Sequence, residues 1–233
     1  MWAQPELFLH FSYNSATQDC QDTFSPGSER IHAPSSMAAR KKTTAELSIH
    51  VLYVELVGIH PAIWRELHVR SDMRLSKLHD VLQAAFGWND SHMHVFEDTS
   101  RQRYGHTAGE TDAMGFGDAA LRDEREYTVA DIAPRARSLF GYIYDFGDDW
   151  VHRLRVKKVQ PAEPGKRYPS CVAGARAAPP DDCGGISGYE RLLDVLDDPE
   201  HEEHEDMLQW LGGPFYPEAF DLKSTDKAVR NIR

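Results

Sequence analysis

The residues most able to do chemistry lie in a few short strings. In DFGDDWVH, Asp145, Asp148, Asp149 and His152 fall within eight residues. On a hairpin tip their oxygens and one imidazole would converge as ligands for a divalent cation. Tight turns also use this composition, because glycine accepts positive φ and aspartate side chains satisfy turn amides. In HMHVF, His92 and His94 are two apart, so on a strand both project from one face. With His152, and with Asp148 and Asp149 close by, they would form the metal centre of a hydrolase or nuclease. Beside Trp88 and Phe96 they equally suit the hydrogen-bonded edge of a core. Cys171 and Cys183 are separated by eleven residues, whereas zinc-binding cysteines usually come in pairs two to four apart. They form a candidate thiol site with a histidine's help, or two small buried hydrophobes. The HEEHE string at 201–205 spaces its histidines by three rather than the four a zinc protease helix needs, so it reads as a solvated face. Last, Arg153, Arg155 and Lys157 alternate along WVHRLRVKKV and make a basic stripe. With Tyr142 and Tyr144 on the preceding strand, that stripe would bind single-stranded nucleic acid or an acidic protein partner.

These residues need a scaffold, and the hydrophobic pattern supplies one. LSIHVLYVELV is nearly continuous in apolarity and predicts a strand over 47–57. IWRELHV alternates and predicts a second over 63–70. Leu75, Leu78, Val81, Leu82, Ala85 and Phe86 recur at three- and four-residue steps, a helix with Asp72 as its cap and Gly87 as its stop. Further strands are expected near 93–97, 139–146 and 150–159, the last two as a hairpin. Thr128 caps a short helix over VADIA. Residues 98–126 read as a long excursion and 160–186 as a Pro/Gly-rich loop. Ser187 with Glu190 predicts a capping box opening one helix, and Asp198-Pro199 predicts the start of a second that runs to Gly212. The sum is an α+β fold, a mixed or antiparallel sheet packed against an amphipathic helix with a C-terminal helical pair. Trp64, Trp88, Trp150 and Trp210 are expected in its core.

Composition sets the outer limits. The chain has 233 residues and a net charge of −11, of which residues 181–233, with fourteen acidic and five basic side chains, carry −9. Such a balance repels phosphate backbones at long range, so duplex nucleic acid is not the default partner. Three cysteines fit a reducing compartment, and no apolar run approaches a membrane span. A cytoplasmic location with no membrane partner is therefore expected. Residues 1–45 show no sustained period and read as a disordered extension, with Met37 as a natural start. One domain is expected over 46–222, followed by a weakly patterned tail at 223–233.

Read in order, IWRELHV, LHDVLQAAFGW, HMHVF, YDFGDDWVH, YPSC, PPDDCGGISGYE and WLGG followed by FYPEAFD resemble the plasmid pRiA ORF-three family, also labelled insertion-element passenger TnpR-like proteins. The resemblance spans roughly residues 47–222 and implies an association with plasmids and mobile elements. The TnpR label suggests a resolvase, yet neither a serine-resolvase motif nor the Arg…His-x-x-Arg…Tyr set of tyrosine recombinases is present. KSTDKAVRNIR also replaces the family's usual asparagine-containing terminal helix. The expected function is a non-enzymatic binding or accessory module. A metal-dependent hydrolase or nuclease using His92, His94, Asp148, Asp149 and His152, and single-stranded nucleic-acid binding through Arg153, Arg155 and Lys157, are the alternatives, and a divalent metal is the one cofactor that these residues suggest.

Overall fold

The computed structural model describes residues 47–107 and 121–232; the expected N-terminal extension and its start at Met37 lie outside them. The elements run β1 (Ser48–Leu56), β2 (Trp64–Arg70), α1 (Leu75–Phe86), β3 (His94–Asp98), β4 (Arg103–Gly105), β5 (Arg122–Asp123), α2 (Val129–Ile132), β6 (Leu139–Tyr144), β7 (Trp150–Pro161), β8 (Ser170–Ala175), α3 (Gly185–Asp197), α4 (His204–Leu211) and α5 (Leu222–Arg230). The strands form one sheet in the order β5-β4-β3-β6-β7-β1-β2-β8. Every pairing is antiparallel except β4 with β5, so the sheet is mixed and the α+β expectation holds.

Alternation along the central strands decides which face is covered. Leu52, Val54 and Leu56 of β1, Trp150, Leu154 and Val156 of β7, and Phe140, Tyr142 and Tyr144 of β6 are all buried and join one cluster with the apolar stripe of α1. The opposite face carries Tyr53, Glu55, Trp64 and Glu66 with the cations of β7, all partly or fully exposed. α1 ends as its sequence says: Gly87 takes the left-handed conformation at φ 79° and returns its N–H to Gln83 O. Its start differs. Asp72 binds Arg70 instead, and Arg74 is the N-cap without a side-chain bond. Thr128 caps α2 as expected, in a reciprocal capping box with Asp131.

Other differences share a physical origin in short or small-residue segments. β8 lies inside the expected loop, and β4 and β5 lie inside the expected excursion. α3 begins at Gly185 behind Gly184, two residues before the expected Ser187 box. α4 begins at His204, well after Asp198-Pro199. The last residues, weakly patterned in sequence, form α5, whose Val229 is fully buried. Trp210 is 49% exposed rather than core, because α4 buries no residue. Trp64 is half-buried and stacks on Tyr53 at 5.3 Å.

Candidate functional site

Three loops meet at one end of the sheet: 88–93 between α1 and β3, 145–149 at the β6–β7 tip, and 179–185 before α3. The third is seated by the other two. Trp88 Nε1 donates to Pro179 O at 2.9 Å and Asn89 N to Asp181 Oδ2 at 3.3 Å. Asp148 Oδ2 accepts from Gly184 N at 3.1 Å. At Gly185 (φ 69°) a Cβ would lie 2.7 Å from Asp148 O, so only glycine permits this approach. Four aspartates in these loops, Asp90, Asp145, Asp149 and Asp182, hold φ between 55° and 61°, the left-handed region that aspartate tolerates better than most side chains.

The tip is organised by Asp145, which is 6% exposed. Its Oδ1 accepts from Gly147 N at 2.9 Å and Asp148 N at 3.4 Å. Oδ2 is left facing His92 Nε2 at 3.5 Å. Asp182 Oδ1 approaches the same Nε2 at 2.9 Å. His92 Nε2 is buried and makes no hydrogen bond, so neither carboxylate sits where an N–H would donate to it.

Beside this trio, Asp90 is held by a closed ring of hydrogen bonds. Asp90 N donates to Gln83 Oε1 at 2.8 Å, and Gln83 Nε2 to Tyr142 Oη at 3.0 Å. His79 Nδ1 lies 2.8 Å from that hydroxyl and Nε2 lies 2.7 Å from Asp90 Oδ1. A backbone N–H can only donate, which fixes every later step. Gln83 must turn its amide nitrogen to Tyr142, Tyr142 must give its own proton to His79 Nδ1, and His79 must carry its proton on Nε2 and donate it to Asp90. Burial, and then the neighbouring His94, hold His79 below its ordinary pKa, and burial holds Tyr142 well above its own. Both stay neutral, as the ring requires.

His94 stacks on His79 with centroids 3.5 Å apart and planes 5° from parallel. Its Nε2 pairs with Glu124 Oε2 at 2.8 Å. Ligand atoms of His79, Asp90 and His94 fall within 4.8 Å of one another, as do those of His92, Asp145 and Asp182. The two trios are not equivalent. Imidazole ligates in its ring plane, and parallel stacked rings set their lone pairs side by side, which suits a proton network better than a chelate.

The residues expected to form one metal centre are therefore distributed. His92 and His94 enter different trios, and among the described residues neither trio includes Asp148, Asp149 or His152. Asp148 holds the third loop, and burial raises the Asp149 carboxyl. His152 is fully buried against Phe86, Trp88 and Tyr142, with Nδ1 on Trp150 O at 2.9 Å, and burial lowers its pKa to about 3. Cys171 is buried and Cys183 half-buried, their thiols pushed up by burial to about 11 and about 12. That is inert rather than nucleophilic chemistry. On the open face Arg153 pairs with Glu55 at 3.2 Å, Lys157 with Glu66 at 2.6 Å, and Arg155 lies over Tyr53 at 5.5 Å. Sequence reasoning passed over His79, Asp90 and Asp182; the signal for Asp182 was a second string that sets paired aspartates near glycine, PPDDCGG, as FGDDW does at the hairpin tip.

A cavity of about 480 Å³ opens over this end, lined by Asp90, Ser91, His92, Met93, Asp145, Phe146 and Gly147. Among the described residues its lining holds two carboxylates and no lysine or arginine.

The chain thus combines a mixed sheet with one helix-covered face, C-terminal helices and a histidine–aspartate cluster at one loop end. The chain belongs to the plasmid pRiA4b ORF-3-like protein family, whose model matches residues 48–224. It is 33% identical over 193 residues to "Uncharacterized protein y4hQ" of Sinorhizobium fredii, covering 79% of this chain and 92% of that protein. It also resembles the crystal structure of the protein of unknown function MM3350 from Methanosarcina mazei Go1, with a TM-score of 0.66, 36% identity, and coverage of 76% of this chain and 97% of the other. Among the described residues no helix is long and apolar enough to cross a membrane.

Proposed function

We propose that the protein is a non-enzymatic binding module, carried as an accessory by mobile elements, and that its ligand is a cation held in the Asp90–Asp145 cavity. The observation that carries this reading is the closed ring on Asp90. It fixes a carboxylate acceptor at the cavity edge, where no lysine or arginine stands among the described lining residues, and the Asp90 side chain remains 60% exposed to meet a ligand. A carboxylate positioned before binding loses less conformational entropy on complex formation than a free one. The mobile-element association rests on the family likeness.

Thermal unfolding of the full chain tests the reading. Ammonium, guanidinium and divalent-metal chlorides are compared with the sodium salts of phosphate and sulfate at equal ionic strength. A cation present at about 100 times its Kd adds about 2.7 kcal/mol, or roughly 5–10 °C for a domain of this size. The expected result is a cation-specific rise that shrinks in Asp90→Asn. Equal rises with the anions, or an Asp90→Asn variant indistinguishable from wild type, would sink it.

A further inference from the structure

We infer that His92, Asp145 and Asp182 form a binding site for one first-row divalent metal ion, such as Zn²⁺ or Mn²⁺. This rests on the cavity being a cation site and names its ligand.

Three observations converge on it. First, the donor spacings fit an ion. With metal–ligand distances of about 2.1 Å, separations of 2.9 and 3.5 Å subtend angles of about 90° and 110° at the metal, inside the range between octahedral and tetrahedral coordination. Second, the imidazole nitrogen common to both separations is buried and makes no hydrogen bond, although two carboxylate oxygens lie beside it. A cation between the three satisfies the nitrogen and both oxygens together. Third, the donors have little competing work. Asp145 spends Oδ1 on the turn and keeps Oδ2 for the site, and the Asp182 side chain is 67% exposed.

The donor chemistry selects the ion class. One imidazole with two carboxylates is too nitrogen-rich for Ca²⁺ or Mg²⁺, which take oxygen, and too hard for Cu⁺. Three protein ligands leave coordination positions open to the cavity, where water or an oxygen-bearing ligand completes the shell.

Isothermal titration of the full chain with ZnCl₂, MnCl₂ and MgCl₂ tests the site, beside His92→Gln and Asp182→Asn. Both positions are at least partly exposed, and circular dichroism checks that each variant keeps its fold. One Zn²⁺ or Mn²⁺ per chain, with affinity falling at least about tenfold in each variant and Mg²⁺ bound more weakly, is the expected result. An absence of binding by the wild type overturns the site, and so does unchanged affinity in His92→Gln. Loss of binding in His79→Gln with retention in His92→Gln would move the ion to the stacked pair and equally overturn it. If no metal binds while ammonium still stabilises the protein through Asp90, the metal site fails and the cavity's cation-binding role stands.

Discussion

At Asp90 a single backbone N–H dictates the orientation of an amide, the proton of a phenol and the tautomer of an imidazole, in that order. Tyr142→Phe removes the middle of this chain. It leaves Gln83 and His79 with unmatched buried groups, at a cost of about 1–3 kcal/mol in urea unfolding, and frees His79 to change tautomer, so cation binding weakens as well. His152 makes a different claim. Its imidazole is neutral when folded, with a pKa near 3, and titrates near 6.5 when unfolded. The unfolded chain binds the extra proton, so stability is unaffected above about pH 6.5 and falls as pH drops toward 3, by at most about 1.4 kcal/mol per unit from this group. Denaturation midpoints across pH 7 to 4 should show the slope, and His152→Leu should flatten it whatever it does to the midpoint at pH 7. At this scale sequence was only half legible. Spacing singled out His92 and His94, but their true neighbours, Asp182 and His79, come from a loop and a helix whose approach no local pattern records.

Among the elements, those with strong periodicity were readable: β1, β2, α1 and the β6–β7 hairpin appear where alternation and three-to-four-residue steps place them. β8 was hidden because SCVAGA has a single β-branched residue. Its Gly174 leaves room for the Phe220 ring, which lies 2.5 Å from where a Cβ would stand. α5 was hidden because only Val229 of its nine residues is buried, too little to make a stripe. β8 and the turn that leads into α5 are joined to the core by Arg65, which is 3% exposed. Its Nε donates to Ala85 O at the end of α1, and one terminal nitrogen donates to Trp64 O and Ala175 O. The guanidinium lies 4.3 Å from the Phe220 ring and 5.1 Å from that of Phe86. No carboxylate is among these contacts; the carbonyls and rings take that role, and burial lowers its pKa to about 10. Arg65→Lys cannot reproduce the planar fork. Chemical denaturation should show Arg65→Lys to be destabilised by at least about 2 kcal/mol, and Val229→Ala by about 1.5–3 kcal/mol from lost burial and the cavity left behind.

For the whole molecule, charge placement matters more than its sum. The β7 stripe read from sequence is present, but Glu55 on the adjacent β1 and Glu66 on β2, one strand further, answer two of its cations, and the acidic excess lies in the last quarter of the chain. Paired, half-exposed cations of this kind release few counterions on meeting a phosphate backbone. In fluorescence anisotropy at about 0.15 M salt, a Debye length of about 8 Å, a single-stranded oligonucleotide should show no saturable binding, and Arg153→Glu with Arg155→Glu should change nothing.

His92, Asp145 and Asp182 are delivered by three loops that lie far apart along the chain, and the last of these is held by hydrogen bonds to Trp88 and to Asp148 at the hairpin tip. The trio comes together only where all three loops have folded onto one another. Occupancy of that spot is consequently a certificate of completed assembly. A ligand bound there would leave nascent or clipped chains unaffected and would slow the unfolding of finished ones, sorting mature molecules from unfinished ones by kinetic persistence alone.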